Sequence, residues 1–236
     1  QSLSLNDAIN IALANNPTIK AARQEVEWNE QMKKTSSDIG KTHFNWQHGQ
    51  YNSIINNDNY FDVSQTFAFP TVYFKSTNAA NAAIKSSELQ QSVTENDLIT
   101  KVKSVYYQLI YAQSNLKLLK RLDSIYTDFS KAAELRYKTG ESSLLEKTTA
   151  ETQLMEVRNR LKMAQSDVRI YTTQLKTLLN TNEQIEIVSE ENTVKRTFAT
   201  LPDSSNGYEN NPVLAYLQQQ IEVQQKQQAL QKAKMM

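Results

Sequence analysis

Apolar residues along most of the chain recur every three or four positions, which is the spacing of a helix. The first helix is predicted to begin after Ser4, an N-cap residue whose capping-box partner is Asp7. Asn15-Asn16-Pro17 ends that helix, because the residue before a proline resists the α conformation. A second helix is predicted from Pro17 to about Ser36, so residues 1–41 form an N-terminal helical region.

Residues 42–70 alternate between apolar and polar side chains, and this period of two predicts a pair of β-strands. A polar loop from Asn52 to Asn59 separates the strands, and Pro70 ends the second one. One face is aromatic and aliphatic and consists of Phe44, Trp46, Phe61, Val63, Phe67 and Phe69. The opposite face is polar and carries Asp62, Ser64 and Thr66.

Each predicted strand is about 9–11 residues long, the length that crosses a bilayer when strands are tilted in a barrel. An amphipathic hairpin on a soluble core is the alternative. The barrel is favoured because two strands alone are marginal in water and the sequence shows no other strand-rich segment, so other copies must supply more strands. The aromatic face is then expected to meet lipid, and the polar face is expected to meet the lumen.

A helix without internal glycine or proline is predicted from about Ser76 to Lys138, and another from about Ser143 to Leu179. Both carry a heptad seam of the coiled-coil kind. The first seam is Leu98, Val102, Val105, Leu109, Ala112, Leu116 and Leu119, after which the spacing slips through Leu122, Ile125 and Phe129. The second seam is Leu154, Val157, Leu161, Ala164, Val168, Tyr171, Leu175 and Leu178.

These two helices are predicted to form a long antiparallel hairpin over residues 71–180, with its tip near 137–145. Gly140 stands where the first helix should stop, after the basic residues Arg136 and Lys138. A tight reversal favours a residue that tolerates positive φ. Glu141-Ser142-Ser143 then supplies an acid and hydroxyl acceptors for a new helix start.

Residues 181–209 lose the periodicity and are expected to be a linker, with a short strand at Ile185, Ile187 and Val188 and a loop from Pro202 to Gly207. Asn210-Asn211-Pro212 then repeats Asn15-Asn16-Pro17, and apolar positions stay in register at a constant offset of 195 residues. Residues 210–236 are therefore interpreted as the start of a second repeat that is cut short. Either the sequence is a fragment of a longer subunit or two halves assemble from separate chains, and the fragment is favoured.

Composition excludes several classes of function. The net charge is +1, which argues against a nucleic-acid-binding face, and the absence of cysteine removes disulfides and thiolate chemistry. No apolar run approaches the roughly 20 residues of a spanning helix. No catalytic arrangement and no cofactor motif is found, so an enzyme is not expected. His43 and His48 fall on opposite faces of a strand and cannot chelate one metal ion together.

Three segments together resemble the TolC-like outer membrane efflux proteins, and most closely the members of the heavy-metal efflux type. They are the opening "LSLNDAINIALANNPTIKAARQE", the strand ending "SQTFAFPTVY" and the hairpin tip "ELRYKTGESSLLEKTTAE". Each segment by itself is a weak match to the family, but the three segments in this order and at this spacing are a specific match. The resemblance covers the first of the family's two repeats and the opening of the second.

The resemblance implies a fold that is mainly α with a small β part. The coiled-coil hairpin would form half of a subunit's share of a periplasmic α-barrel, and the β-hairpin would contribute to a trimeric transmembrane β-barrel in the bacterial outer membrane. Residues 181–209 would be an equatorial segment. The tip, with Arg136, Gly140, Ser143 and Leu144, would dock a periplasmic adaptor protein.

The resemblance also implies a passive conduit in a tripartite efflux system that exports metal ions or small toxic compounds. Its partners would be two further copies in a homotrimer, the adaptor, outer-membrane lipid and an inner-membrane pump of the RND type. Two alternatives remain: a type I secretion outlet, and a non-channel periplasmic coiled-coil scaffold or adaptor.

Overall fold

The computed structural model describes residues 2–49, 54, 58–187 and 211–235. Its helices are α1 (Leu5–Asn15), α2 (Pro17–Lys34, followed by a 3-10 turn at Thr35–Ser37), α3 (Pro70–Lys138), α4 (Leu144–Leu179) and α5 (Pro212–Lys234). Its strands are β1 (Ser2–Leu3), β2 (His43–Gly49), β3 (Asp58–Ser64) and β4 (Glu186–Ile187). The predicted fold class, mainly helical with a small antiparallel sheet, is confirmed.

The described residues divide into two compact units. The first contains the residues up to Lys20 together with those from Glu95 to Ile187, and the second contains Ala21–Thr94 together with the residues from Asn211. The N-terminal caps are as predicted, since Ser4 and Asp7 form the capping box that starts α1.

The core of the first unit is apolar and surrounds the end of α4. Its most deeply buried side chains are Ala8, Ile19, Val102, Leu109, Leu175 and Leu179. The Asn16 side chain donates to the carbonyl oxygen of Leu178 at 2.9 Å, which ties the break between α1 and α2 to the last turn of α4. This bond satisfies one of the carbonyl groups that every helix end leaves open.

A small parallel sheet joins the beginning of the chain to the segment after α4. Ser2 pairs with Glu186 and Leu3 with Ile187, and the buried Tyr106 hydroxyl donates to the Leu3 carbonyl oxygen at 3.1 Å. The strand predicted at Ile185–Val188 is confirmed at Ile187, whereas Val188 and the loop from Pro202 to Gly207 lie outside the described residues. Two-residue strands carry no alternation, so β1 gave no signal in the sequence.

The two predicted seams are confirmed. Every seam position is buried or half-buried between Leu98 and Leu119 of α3 and between Leu154 and Leu178 of α4. The Arg158 Nε atom pairs with Asp123 Oδ1 at 3.2 Å and links the two helices. Ile125 and Phe129 are exposed, which agrees with the slip in spacing.

The second unit packs the first part of α3 against α5. The Gln219 side chain is buried and donates to the carbonyl oxygen of Ala82 at 3.3 Å, and Gln220 Nε2 donates to Ser86 Oγ at 2.8 Å. A second contact is made by the turn after α2, where the hydroxyls of Ser36 and Thr77 lie 3.2 Å apart. Small side chains on α3 allow these polar groups to approach its backbone.

Two predicted boundaries are wrong. Each strand of the hairpin has 7 residues instead of the expected 9–11, so Thr66, Phe67 and Phe69 lie beyond the end of β3. Helix α3 begins at Pro70 instead of Ser76. Proline is well suited to the first helical position, because its missing N–H would have no partner there.

The early end of β3 has a physical cause. Past Ser64 the chain lies against Gly40, where Gln65 Nε2 donates to the Gly40 carbonyl oxygen at 3.2 Å. The Thr66 carbonyl oxygen would be 3.0 Å from a Cβ on Gly40, so the close approach depends on glycine. Ladder pairing therefore stops at His43 and Ser64. Most of the predicted loop between the strands lies outside the described residues.

Candidate functional site: the strand hairpin and the helical tip

Strands β2 and β3 form an antiparallel hairpin whose register sorts its side chains into two faces. Phe44 pairs with Val63 and Trp46 pairs with Phe61, so these four side chains share one face. Asn45 pairs with Asp62 and His43 pairs with Ser64 on the opposite face. The hairpin therefore has an apolar side and a polar side, as the alternation predicted.

The apolar face is exposed rather than packed into a core. Phe44, Trp46 and Phe61 are 64%, 64% and 61% exposed, and Val63 is more than half exposed. The rings of Phe44 and Phe61 meet edge to face, with centroids 4.7 Å apart. An edge-to-face pair stabilises the hairpin locally, but it leaves the outer surface of both rings without an apolar partner.

The loop end of this face is polar. His48 Nδ1 and Asn59 Oδ1 lie 2.6 Å apart, and the His48 ring lies 6.3 Å from the ring of Trp46. An indole beside a polar pair is the arrangement found at membrane–water interfaces, where one side of the ring is apolar and the other is hydrated.

The structure brings together only part of each predicted set. Phe44, Trp46, Phe61 and Val63 form the apolar face, and Asp62 and Ser64 lie on the polar face. Phe67 and Phe69 are exposed in the segment that leads into α3, and Thr66 is in the same segment, so none of the three has a ladder partner.

The tip of the α3–α4 hairpin is built by a Schellman motif around Gly140. The Gly140 N–H donates to the Tyr137 carbonyl oxygen at 3.1 Å, and the Glu141 N–H donates to the Arg136 carbonyl oxygen at 2.8 Å. Gly140 has φ +78°, the left-handed conformation that this motif requires. Ser143 then caps α4 by accepting from the Glu146 N–H at 3.3 Å.

This geometry places the predicted tip residues on one exposed turn. The side chains of Arg136, Ser143 and Leu144 are exposed, as is Gly140. Just before the turn, a hydrogen bond and the charge of Lys138, helped by Lys147, lower the pKa of the Glu134 carboxyl below its usual value. Lys147 also lies 5.5 Å from the centre of the Tyr137 ring.

Sequence reasoning missed a shallow groove beside this turn. The groove has a volume of about 500 Å³, and its lining residues include Phe129, Arg136 and Leu145. Leu145, in the lining, is strongly exposed, and so is Leu135 near the end of α3. In the turn between α3 and α4, Ser142 Oγ is buried and has no hydrogen-bond partner in the described part of the chain. Leucines next to a helix reversal are the sequence signal for this groove, and the heptad pattern alone did not reveal it.

The described residues hold neither a metal-binding cluster nor a membrane-spanning helix. No group of three or more His, Cys, Asp or Glu side chains is placed to hold a metal ion. Within the same residues, no helix combines the length and apolar character needed to cross a membrane.

The family described as outer membrane efflux protein matches residues 44–181, which is more than half of the chain. The chain belongs to that family. Membership places it in the bacterial outer membrane, extending into the periplasm. No curated protein matches the chain at a significant level.

Solved structures share the fold. The outer membrane protein VceC of Vibrio cholerae has a TM-score of 0.73 and 16% identity over 97% of this chain and 58% of its own. CusC has a TM-score of 0.64 and 17% identity over 77% of this chain and 44% of its own. The Campylobacter jejuni CmeC outer membrane channel has a TM-score of 0.63 and 19% identity over 76% of this chain and 41% of its own. The chain thus spans less than two thirds of each of these proteins.

Proposed function

We propose that this chain forms part of an outer-membrane efflux channel subunit, and that a homotrimer of the complete subunit builds one export tube. The tube is a passive conduit, and an inner-membrane pump supplies the energy. One observation carries this proposal: the β2–β3 hairpin exposes an aromatic face while its other face is polar.

The hairpin needs further strands to be stable in a membrane. Among the described residues, β2 and β3 pair only with each other, which leaves one edge of each strand unpaired. An unpaired backbone group in lipid costs several kcal/mol, so strands cross a bilayer only in closed barrels. Strands from the other copies in the trimer would close the barrel, with the aromatic face on lipid and Asp62 and Ser64 in the lumen. Thr66, Phe67 and Phe69 would lie where the barrel joins the helices.

The helical tip is proposed to dock a periplasmic adaptor protein. Arg136, Gly140, Ser143 and Leu144 form its exposed turn, and the groove beside Leu145 offers apolar surface. A helix reversal that presents Arg136 and exposed leucines suits a contact with another helical hairpin. The adaptor would connect the tube to a pump, proposed to be of the RND type.

The cargo is proposed to be metal ions or small toxic compounds. The resemblance of the three sequence segments to the heavy-metal efflux type supports metal ions first. The polar face of the hairpin, with Asn45, Asp62 and Ser64, would let hydrated solutes pass.

Purification of the complete protein in detergent, followed by conductance recording in planar bilayers, tests this function. The proposal predicts trimers and stepwise ion conductance. A monodisperse soluble monomer without conductance would contradict it.

A non-channel scaffold is the second candidate, favoured by the buried seams of α3 and α4. A scaffold would tolerate Phe61→Asp with Phe67→Asp, whereas a barrel would fail to insert. A type I secretion outlet would share the tube, so the pump that copurifies with the protein separates that outcome from small-solute efflux.

A further inference from the structure

A larger groove lies inside the second unit, between the end of α2 and the first part of α3. Its volume is about 740 Å³, which is within the usual range of small-molecule sites. Ser36 and Thr77, whose hydroxyls lie 3.2 Å apart, are part of its lining. The channel function assigns no role to this groove.

The lining of this groove carries charges of both signs. It contains three lysines and two glutamates, which are Lys33, Lys34, Lys85, Glu30 and Glu88. All five side chains are exposed. Lys34 Nζ donates to Gln31 Oε1 at 2.7 Å, and none of the three lysines forms an ion pair within the described part of the chain. The groove can therefore pair with a ligand that itself carries both a negative and a positive group.

The α3 side of the groove changes from apolar to charged with distance from the strands. One face of α3, with helical spacings of three or four residues, carries Phe74, Thr77, Asn81, Lys85 and Glu88. Phe74 is 71% exposed and lies nearest to the end of β3. Lys85 lies about 16 Å farther along the helix axis, at a rise of about 1.5 Å per residue.

The α2 side has a matching order. Ser36, beside Thr77, is nearest to the strands, because α2 ends and α3 begins at the same end of the β2–β3 hairpin. Lys33 and Lys34 precede it on α2, and Glu30 lies about one further turn away from the strands. Read away from the strands, the groups on this side are thus a hydroxyl, two cations and an anion.

We infer that this groove binds the headgroup of phosphatidylethanolamine from the periplasmic leaflet of the outer membrane. The phosphate pairs with the lysines, and the ammonium group donates to Glu30 and Glu88. The acyl chains pass Phe74 and enter the bilayer. This inference rests on the proposed channel function, which places the strands in the membrane and the groove at its periplasmic edge.

The order of chemical groups in the lipid is the reason for this choice of ligand. Its chains are followed by glycerol, then by the phosphate, and the ammonium group is farthest from the bilayer. Phosphatidylglycerol has no cation, so it leaves Glu30 and Glu88 without a partner. Phosphatidylcholine has a cation but no N–H, so it cannot donate the charge-assisted hydrogen bonds that carboxylates accept most strongly.

The test is lipid retention by the complete protein, purified in detergent and measured by native mass spectrometry. Phosphatidylethanolamine, phosphatidylglycerol and phosphatidylcholine with identical acyl chains are added in turn. The first should be retained about tenfold better than the other two, the factor that one charge-assisted hydrogen bond supplies. Equal retention of all three would overturn the inference. Inorganic phosphate at the concentration of the lipid should not displace it, and displacement would show a site for a small anion instead of a lipid.

A lysine variant tests the phosphate contact. Lys33→Gln with Lys85→Gln should weaken the retention of all three lipids about tenfold or more, because they share the phosphate. Lys20→Gln with Lys75→Gln is the matched control, since it removes two exposed lysines that lie outside the lining. Equal retention by the two double variants would contradict the phosphate assignment.

A glutamate variant tests the ammonium contact separately. Glu30→Gln with Glu88→Gln should remove the preference for ethanolamine over choline and leave the retention of phosphatidylglycerol no weaker than before. Glu25→Gln with Glu27→Gln, two exposed positions outside the lining, should keep the preference. A preference that survives in the first variant would overturn the ammonium assignment.

Conductance of the unmodified complete protein is recorded in parallel. Conducting trimers that show no preference for phosphatidylethanolamine would overturn the headgroup site and leave the channel function standing. A complete protein that forms neither trimers nor conducting channels would overturn the channel function and the headgroup site with it.

Discussion

The Glu141 N–H donates to the carbonyl oxygen of Arg136 at 2.8 Å, and this bond closes the turn between the two longest helices. This bond forms only because Gly140, which precedes Glu141, has a positive φ. A side chain at that position would have open space around its Cβ, so any cost of substitution comes from the backbone.

Gly140→Ala should therefore destabilise the hairpin by about 1–2 kcal/mol, the cost of the left-handed conformation for an L-residue. Thermal unfolding of the complete protein measures this. Gly140→Asn is the matched control, because asparagine tolerates positive φ and should recover most of the loss. Equal destabilisation by both variants would show that something other than φ is important at the tip.

Phe61→Lys should block insertion into the outer membrane. A lysine on the lipid face of a barrel costs about 2–4 kcal/mol at the midplane, and much less on the lumen face. Ser64→Lys introduces the same side chain on the polar face of β3 and serves as the control. Fractionation should recover the Ser64→Lys variant in the outer membrane and should not recover the Phe61→Lys variant there. Recovery of the Phe61→Lys variant alone would show that the lipid face and the lumen face are assigned the wrong way round.

Leu109→Ala should lower the free energy of unfolding by about 2–5 kcal/mol, since it removes a fully buried seam side chain. Leu118→Ala, on the same helix but more than half exposed, should change it by less than about 0.5 kcal/mol. Chemical unfolding of both variants gives the comparison. Similar losses at the two positions would mean that the α3 seam is misassigned or that Leu118 is buried in the assembly.

Asn16→Ala should remove both the cap of α2 and the bond to Leu178, at a cost of about 1–3 kcal/mol. Asn29→Ala is the control, because Asn29 makes only an exposed local bond to the Glu25 carbonyl oxygen among the described contacts. Unfolding midpoints separate the two. An Asn16 variant as stable as the control would show that the α1–α2 break holds its position without this side chain.

The sequence predicted those elements whose cause is local or periodic. Ser4 with Asp7, Gly140 and the heptad seams each depend on a few neighbouring residues, and the structure places them as expected. Strand ends were misplaced because they depend on distant contacts. Nothing near Thr66 in the sequence indicates that the chain there would lie against Gly40 instead of extending the ladder.

The candidate site divides in the same way. Alternation was sufficient to assign Phe44, Trp46, Phe61, Val63, Asp62 and Ser64 to faces of the hairpin. The groove beside Leu145 and the pairing of Leu3 with Ile187 join segments far apart in the sequence, and no local pattern encodes them.

The most direct measurement of the channel account is cysteine modification during conductance recording. The 236-residue sequence has no cysteine, so a single cysteine introduced at Asp62 or at Phe61 is the only thiol within it. A charged, water-soluble thiol reagent should change the conductance of the Asp62→Cys channel and leave the Phe61→Cys channel unaffected. A conductance change at position 61 with none at position 62 would contradict the account. The absence of conductance from both variants would contradict it as well.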